Sequence, residues 1–189
     1  MMFQTKNRIS RIVFLLFLIQ SAFVFGQVPD AEMETLKNKW RVDLREKGHE
    51  LALKSSNEGM SEFSDSIRRL FLEDTFVVEN LYRKQLDKDI TNLGMNKAAL
   101  ACASEYELLI DKYYAALLSK MKPDDKELLV SWQNDWKKFM EKERTLIGKL
   151  MQEEYSGGGS IQSLTYTSRL LQAQREHTFQ LIDYLTHLI

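Results

Sequence analysis

Cysteine is nearly absent from this 189-residue chain. Cys102 stands alone, so no intrachain disulfide can form and the fold must be held by packing. Proline is almost as scarce. Only Pro29 and Pro123 occur, which removes the commonest interrupter of helices from long stretches. The three histidines, His49, His177 and His187, are scattered without metal-ligand spacing and read as solvated or capping residues. No His-Glu-x-x-His, Gly-x-Ser-x-Gly or Walker-type phosphate loop is present, so no metal, no cofactor and no catalytic residue is expected. Positive charge is not concentrated either. There are 26 Lys and Arg against 27 Asp and Glu, which argues against nucleic acid as a partner.

What the chain does have begins with its first residues. Lys6, Arg8 and Arg11 precede the uncharged run Ile12 to Ile19, and after Gln20-Ser21 the stretch Ala22 to Phe25 continues it up to Gly26. This is the order of a secretory signal peptide, with cleavage expected between Gly26 and Gln27. The apolar run is interrupted and short for a spanning helix, and no cysteine follows it to carry a lipid. The expectation is an exported protein, periplasmic or extracellular, with no stable membrane span after cleavage. Removing the leader leaves 23 Lys and Arg against 27 Asp and Glu, a mildly acidic chain suited to a basic partner.

The remainder is rich in Leu, Lys, Glu, Met and Ala, all good helix formers, and reads as all-α. Met33, Leu36, Trp40, Leu44 and Leu51 mark a first amphipathic helix from Pro29 to about Ser55, with Gly48 weakening its middle. Met60 to Asp89 reads as one helix, or as two divided near Glu73-Asp74-Thr75. Residues 27–91 thus form an N-terminal helical region, closed by the turn Thr91 to Gly94. Residues 92–189 read as a domain of three long antiparallel helices. The first runs from Met95 to Met121 with Leu109, Tyr113 and Leu117 inward, and Ile110 and Tyr114 widening the stripe. Pro123 opens the second, with a heptad seam at Leu129, Trp132, Trp136, Phe139, Glu143, Leu146 and Leu150. Gly157 to Gly159 end it, and Ser160 is placed as N-cap of the third, whose seam runs through Ile161, Leu164, Ser168, Leu171, Arg175, Phe179, Ile182 and Leu185. Tyr114, Trp132, Trp136 and Phe139 are the expected core aromatics.

Glu143 and Arg175 interrupt these two seams. Counted from Gly158 as midpoint, they fall at nearly the same height, and the spacing predicts an ion pair at the edge of the core.

The same helices carry a resemblance. Gly94 to Leu118, with Met95-Asn96 at its start and Ile110-Asp111-x-x-Tyr114 near its end, is similar to the opening helix of the LprI-like lysozyme-inhibitor family. Gln133-x-x-Trp136-x-x-Phe139-Met140-Glu141-x-Glu143 resembles that family's Gln-x-x-Trp-x-x-(Phe/Tyr)-Arg-Asp-x-Glu helix. Tyr155 to Ile161, followed by Leu171-x-x-x-Arg175 and Tyr184, resembles its glycine loop and closing helix. The resemblance spans about residues 92 to 186. Family cysteines are replaced by Ala98, Arg144 and Thr167, and the family arginine by Met140.

The resemblance implies a binding protein, not an enzyme, that blocks lysozyme or another cell-wall hydrolase. The loop Tyr155, Ser156, Gly157, Gly158, Gly159 and Ser160 is the expected contact, its glycines allowing close backbone approach. The alternative is a structural or assembly module of the cell envelope whose N-terminal helices dock a protein partner. Exposed apolar surface discriminates the two: at the glycine loop, or along Phe63 to Leu86.

Overall fold

The computed structural model describes residues 27–55, 59 and 61–188; the leader expected over residues 1–26 lies outside them. Among the described residues there are six α-helices and no strand. They are α1 (Asp30–Lys54), α2 (Glu62–Lys88), α3 (Asn92–Lys120), α4 (Lys126–Leu150), the single turn α5 (Glu153–Ser156) and α6 (Ser160–Thr186). A 3-10 turn at Pro123–Asp125 leads into α4. The chain is an all-α helical bundle. None of the described helices is long and apolar enough to cross a membrane.

Local chemistry sets the ends. Ser61 caps α2 by accepting from the Ser64 amide, and Thr91 caps α3 by accepting from the Gly94 amide. The α6 cap differs from expectation. Gly159 takes the cap position without a side-chain bond, and Ser160 is the first helical residue. The Ser160 hydroxyl instead accepts from Asn92 Nδ2 at 2.8 Å. Helix α2 also runs unbroken through Glu73-Asp74-Thr75, because the Thr75 hydroxyl donates to the Phe71 carbonyl at 2.7 Å and stays within the ladder.

Helices alternate in direction, so α3 and α6 run parallel, as Asn92–Ser160, Asn96–Thr167 and Glu107–Gln174 hydrogen bonds show in rising order. Helix α3 lies at the centre. Tyr106, Ile110, Tyr113, Leu171, Leu181 and Leu185 are all but inaccessible and form the middle of one core, to which α2 contributes Phe71 and Val78 and α4 contributes Leu129. Burying each such side chain stabilises the fold by roughly 1.5–3 kcal/mol. Helix α1 packs on the outer side of α2 through Leu44, Val77 and Leu81. Gly48 is the crossing point there: a Cβ would come within 3.1 Å of Phe76 and 3.3 Å of the Glu73 carbonyl.

The inward face of α4 is rotated from its heptad seam. Leu129, Gln133, Met140 and Ile147 are buried, while Leu146 and Leu150 are exposed. Phe139 is a correction to the expected core aromatics, being 52% exposed. Tyr114, Trp132 and Trp136 are half-buried against the main core.

Candidate binding surfaces

A column of tyrosine–carboxylate contacts joins α2 to α3 and α6. Glu79 on α2 accepts from the Tyr106 hydroxyl at 2.7 Å and from Arg175 Nε and Nη2 at 2.7 and 2.8 Å. Seven residues along α3, Tyr113 donates to Asp74 at 2.6 Å, which also takes Lys112 at 2.6 Å. Burial, then the bond to the carboxylate, pushes both phenols up, so they act as donors only. The Arg175 guanidinium also lies over the Tyr82 and Tyr106 rings. Cys102 is buried nearby, and burial pushes its thiol up to about 12.

The ion pair expected between Glu143 and Arg175 is therefore replaced by Glu79–Arg175. His177 Nε2 meets Gln133 Oε1 at 2.8 Å, so α4 and α6 are level about Tyr155 rather than Gly158, and Glu143 comes level with Thr167. His177 faces α4, and two residues away on a helix is the opposite side, so Arg175 faces α2. Glu143 is half-exposed, with no ion pair among the described residues.

His177 was expected to be a solvated or capping residue. It is instead buried between the rings of Trp136, at 3.9 Å and 5° between planes, and Trp132, at 4.7 Å and 27°. Burial holds its pKa down at about 4, so the ring is neutral at pH 7. The Gln133 amide is only half satisfied: its Nε2, like Oε1 of buried Gln174, has no partner among the described residues. The family-like residues Gln133 and Trp136 thus hold a histidine that is distant in sequence. Outside this clamp, α3 and α4 leave a groove of about 270 Å³ lined by Glu107, Ile110, Trp136 and Met140, bridged by the Arg144–Glu107 ion pair.

The second surface is one end of the bundle, where α1, α3 and α6 begin and α2 and α4 end. Asp89 ties it together. Its carboxylate accepts from the Val28 amide at 3.0 Å, the Thr91 amide at 3.0 Å and the Thr91 hydroxyl at 2.6 Å. Burial alone would raise its pKa, but these bonds outweigh it and hold the carboxyl below its ordinary value. Gly157, Gly158 and Gly159 all have positive φ, the region L side chains rarely adopt, so the chain reverses directly after the single turn α5. Ser156 fixes the turn by donating to the Met151 carbonyl at 2.9 Å and accepting from the Gly158 amide at 3.1 Å. Around it Tyr155 is 66% exposed, Ile161 57%, Ile90 61% and Leu93 49%. The Asn92–Ser160 bond places the last two beside the loop. Glu153 and Glu154 have no ion pair among the described residues.

Sequence spacing located the glycine loop but not the groups around it. Ile90 comes from the α2–α3 link and Asn92 and Leu93 from the first turn of α3, and no local signal joins them to residue 160. The partnership of His177 with Gln133 was equally hidden. Among the described residues no cluster of three or more His, Cys, Asp or Glu could hold a metal ion.

A family model described as Lysozyme inhibitor LprI matches residues 83–181, from the last turns of α2 to near the end of α6. No curated protein and no solved structure matches the chain.

Proposed function

The chain belongs to the lysozyme inhibitor LprI family, and from that membership we propose that it is an exported inhibitor that binds a lysozyme-type cell-wall hydrolase through the glycine-loop end of the bundle. On this reading residues 1–26 are a cleaved leader, residues 27–91 a helical extension and residues 92–189 the inhibitory domain. The chain acts as a binder and not as a catalyst, in the periplasm or outside the cell.

The observation that carries the choice of surface is the cluster of exposed Tyr155, Ile161, Ile90 and Leu93 around a turn fixed by three positive-φ glycines. Aromatic and aliphatic anchors at a rigid projection are what a concave cleft accommodates. The unpaired Glu153 and Glu154 beside it complement the basic surface common in lysozymes and favour encounter with it. The alternative, docking of a partner along Phe63 to Leu86, has less to use. The large exposed apolar side chains there are Leu70 and Leu72, at 38% and 37%.

The test is a titration of the chain beginning at Gln27 into lysozymes of several types, following cell-wall lysis. Saturable inhibition is expected, weakened about tenfold or more by combined Tyr155→Ala and Ile161→Ser, since two lost anchors cost at least 1.4 kcal/mol. Failure to inhibit any lysozyme at micromolar protein sinks the reading. Inhibition that survives the double variant moves the contact away from the loop end.

A further inference from the structure

Part of the apolar seam that sequence spacing assigned to the core of α4 is on the surface, and Leu128, outside that seam, continues it. Leu128 is 73% exposed, Phe139 52%, Leu146 55% and Leu150 46%, with half-buried Trp132 in the same row. These five residues lie within about 40° of one another around the helix and run along about 33 Å of it. Apart from Trp132, which stacks on His177, the row is left without a covering partner among the described residues. Its spacing has a property that identifies one. The steps from Leu128 to Trp132, Phe139, Leu146 and Leu150 are four, seven, seven and four, so the row reads the same in both directions about Phe139.

We propose that this row packs antiparallel against the same row of a second copy of the chain, with the two-fold axis at Phe139. A row symmetric about its midpoint is self-complementary under a two-fold, which is the requirement of an isologous dimer contact. Leu128 then meets Leu150 of the partner subunit, Trp132 meets the partner subunit's Leu146, and the two Phe139 rings meet at the axis.

Charge agrees with this register. Asp135 and Lys142, seven residues apart, flank the row on one side, and in an antiparallel pair like flanks face each other. Asp135 of each copy is set opposite Lys142 of the other, giving two symmetric ion pairs. Among the described residues Asp135 pairs only with Lys138, at 3.1 Å and with both side chains more than two-thirds exposed. Lys142 has no ion pair among the described residues. Tyr184, edge-on to Trp132 at 5.8 Å between centroids and 42% exposed, extends the apolar surface onto α6.

Sedimentation equilibrium of the purified chain over about 1–100 μM reads the association directly. A dimer is expected. Phe139→Glu should give a monomer with unchanged helical circular dichroism, because that side chain contributes to a surface rather than to the core. Asp135→Lys and Lys142→Asp should each weaken association, and the two together should restore it, a rescue that general surface charge effects would not produce. A monomer throughout the range overturns the proposal and leaves the row for a different protein. A dimer indifferent to Phe139→Glu, or single charge reversals that the double reversal does not rescue, overturns this register.

Discussion

Arg175 and Glu79 lie 96 residues apart and meet through two hydrogen bonds of 2.7 and 2.8 Å. The pair joins α6 to α2, and the Tyr106 hydroxyl adds a bond from α3 to the same carboxylate. One side chain of the N-terminal region therefore anchors two helices of the C-terminal half.

Glu79→Gln is expected to destabilise the fold by about 1–3 kcal/mol. The pair is about a quarter exposed, which sets the loss below that of a fully buried one. Urea unfolding measures it, and a double-mutant cycle with Arg175→Met should show coupling between the two. Glu143→Gln should change stability by less than about 0.5 kcal/mol.

His177 makes stability depend on pH. Its folded-state pKa, at about 4, lies below the ordinary 6.5, so the unfolded chain binds the proton more readily. The neutral ring's contribution is complete above about 6.5 and is lost as pH falls from there towards 4. The loss amounts to about 3 kcal/mol at most. Chemical unfolding at pH 7, 6, 5 and 4 should show this slope, and His177→Gln should flatten it between pH 6.5 and 5. An unchanged slope in the variant would assign the pH dependence to other groups.

Two glycines in helices should respond oppositely to alanine. At Gly94 a Cβ would lie 2.1–2.6 Å from the atoms of the Asp89 carboxylate, so Gly94→Ala must displace the group that ties Val28 and Thr91 together. A loss of about 1–3 kcal/mol is expected. At Gly148 nothing lies within 4 Å, and Gly148→Ala should gain about 0.5–1 kcal/mol through helix propensity. Thermal unfolding of the two variants gives the signs.

Cys102 should be inert until the bundle opens. It is 2% exposed and burial has pushed its thiol up to about 12, so thiolate is scarce and access is closed. Labelling by a maleimide at pH 7 should be slow in buffer and complete within minutes in strong denaturant. Fast native labelling would mean that α3 separates readily from its neighbours.

Helix boundaries were legible in the chain because their causes are local. Pro29, the Ser55–Gly59 stretch, Thr91 and Pro123 mark starts and stops through cap bonds, fixed φ and lost helix propensity, and the ends of α1 and the start of α3 fall close to where those residues put them. The inward face of α3 was legible too. Leu109, Tyr113 and Leu117 form a stripe on a helix surrounded by others, and all three are buried. Of the one- and two-helix readings of α2 the unbroken one holds, again for a local reason: threonine can return its hydroxyl to the preceding turn and remain helical.

Helix α4 shows where local reading ends. Its sequence carries two adjacent apolar rows, one through Leu129, Gln133, Met140 and Ile147 and one through Leu128, Trp132, Phe139, Leu146 and Leu150. Periodicity reports that a helix is amphipathic but does not rank two rows that lie side by side, about 100° apart. The choice came from His177, which enters between Trp132 and Trp136 and turns the first row inward. In the same way Arg175 had a charge to satisfy, and the register and rotation of α6 set it against Glu79 rather than Glu143. The sequence by itself determined the helices, their ends and the loop, because those follow from interactions within a few residues. The tertiary structure alone decided which faces meet and which charges pair, because a rotation of one helix about its axis changes every distant contact while leaving every local one intact.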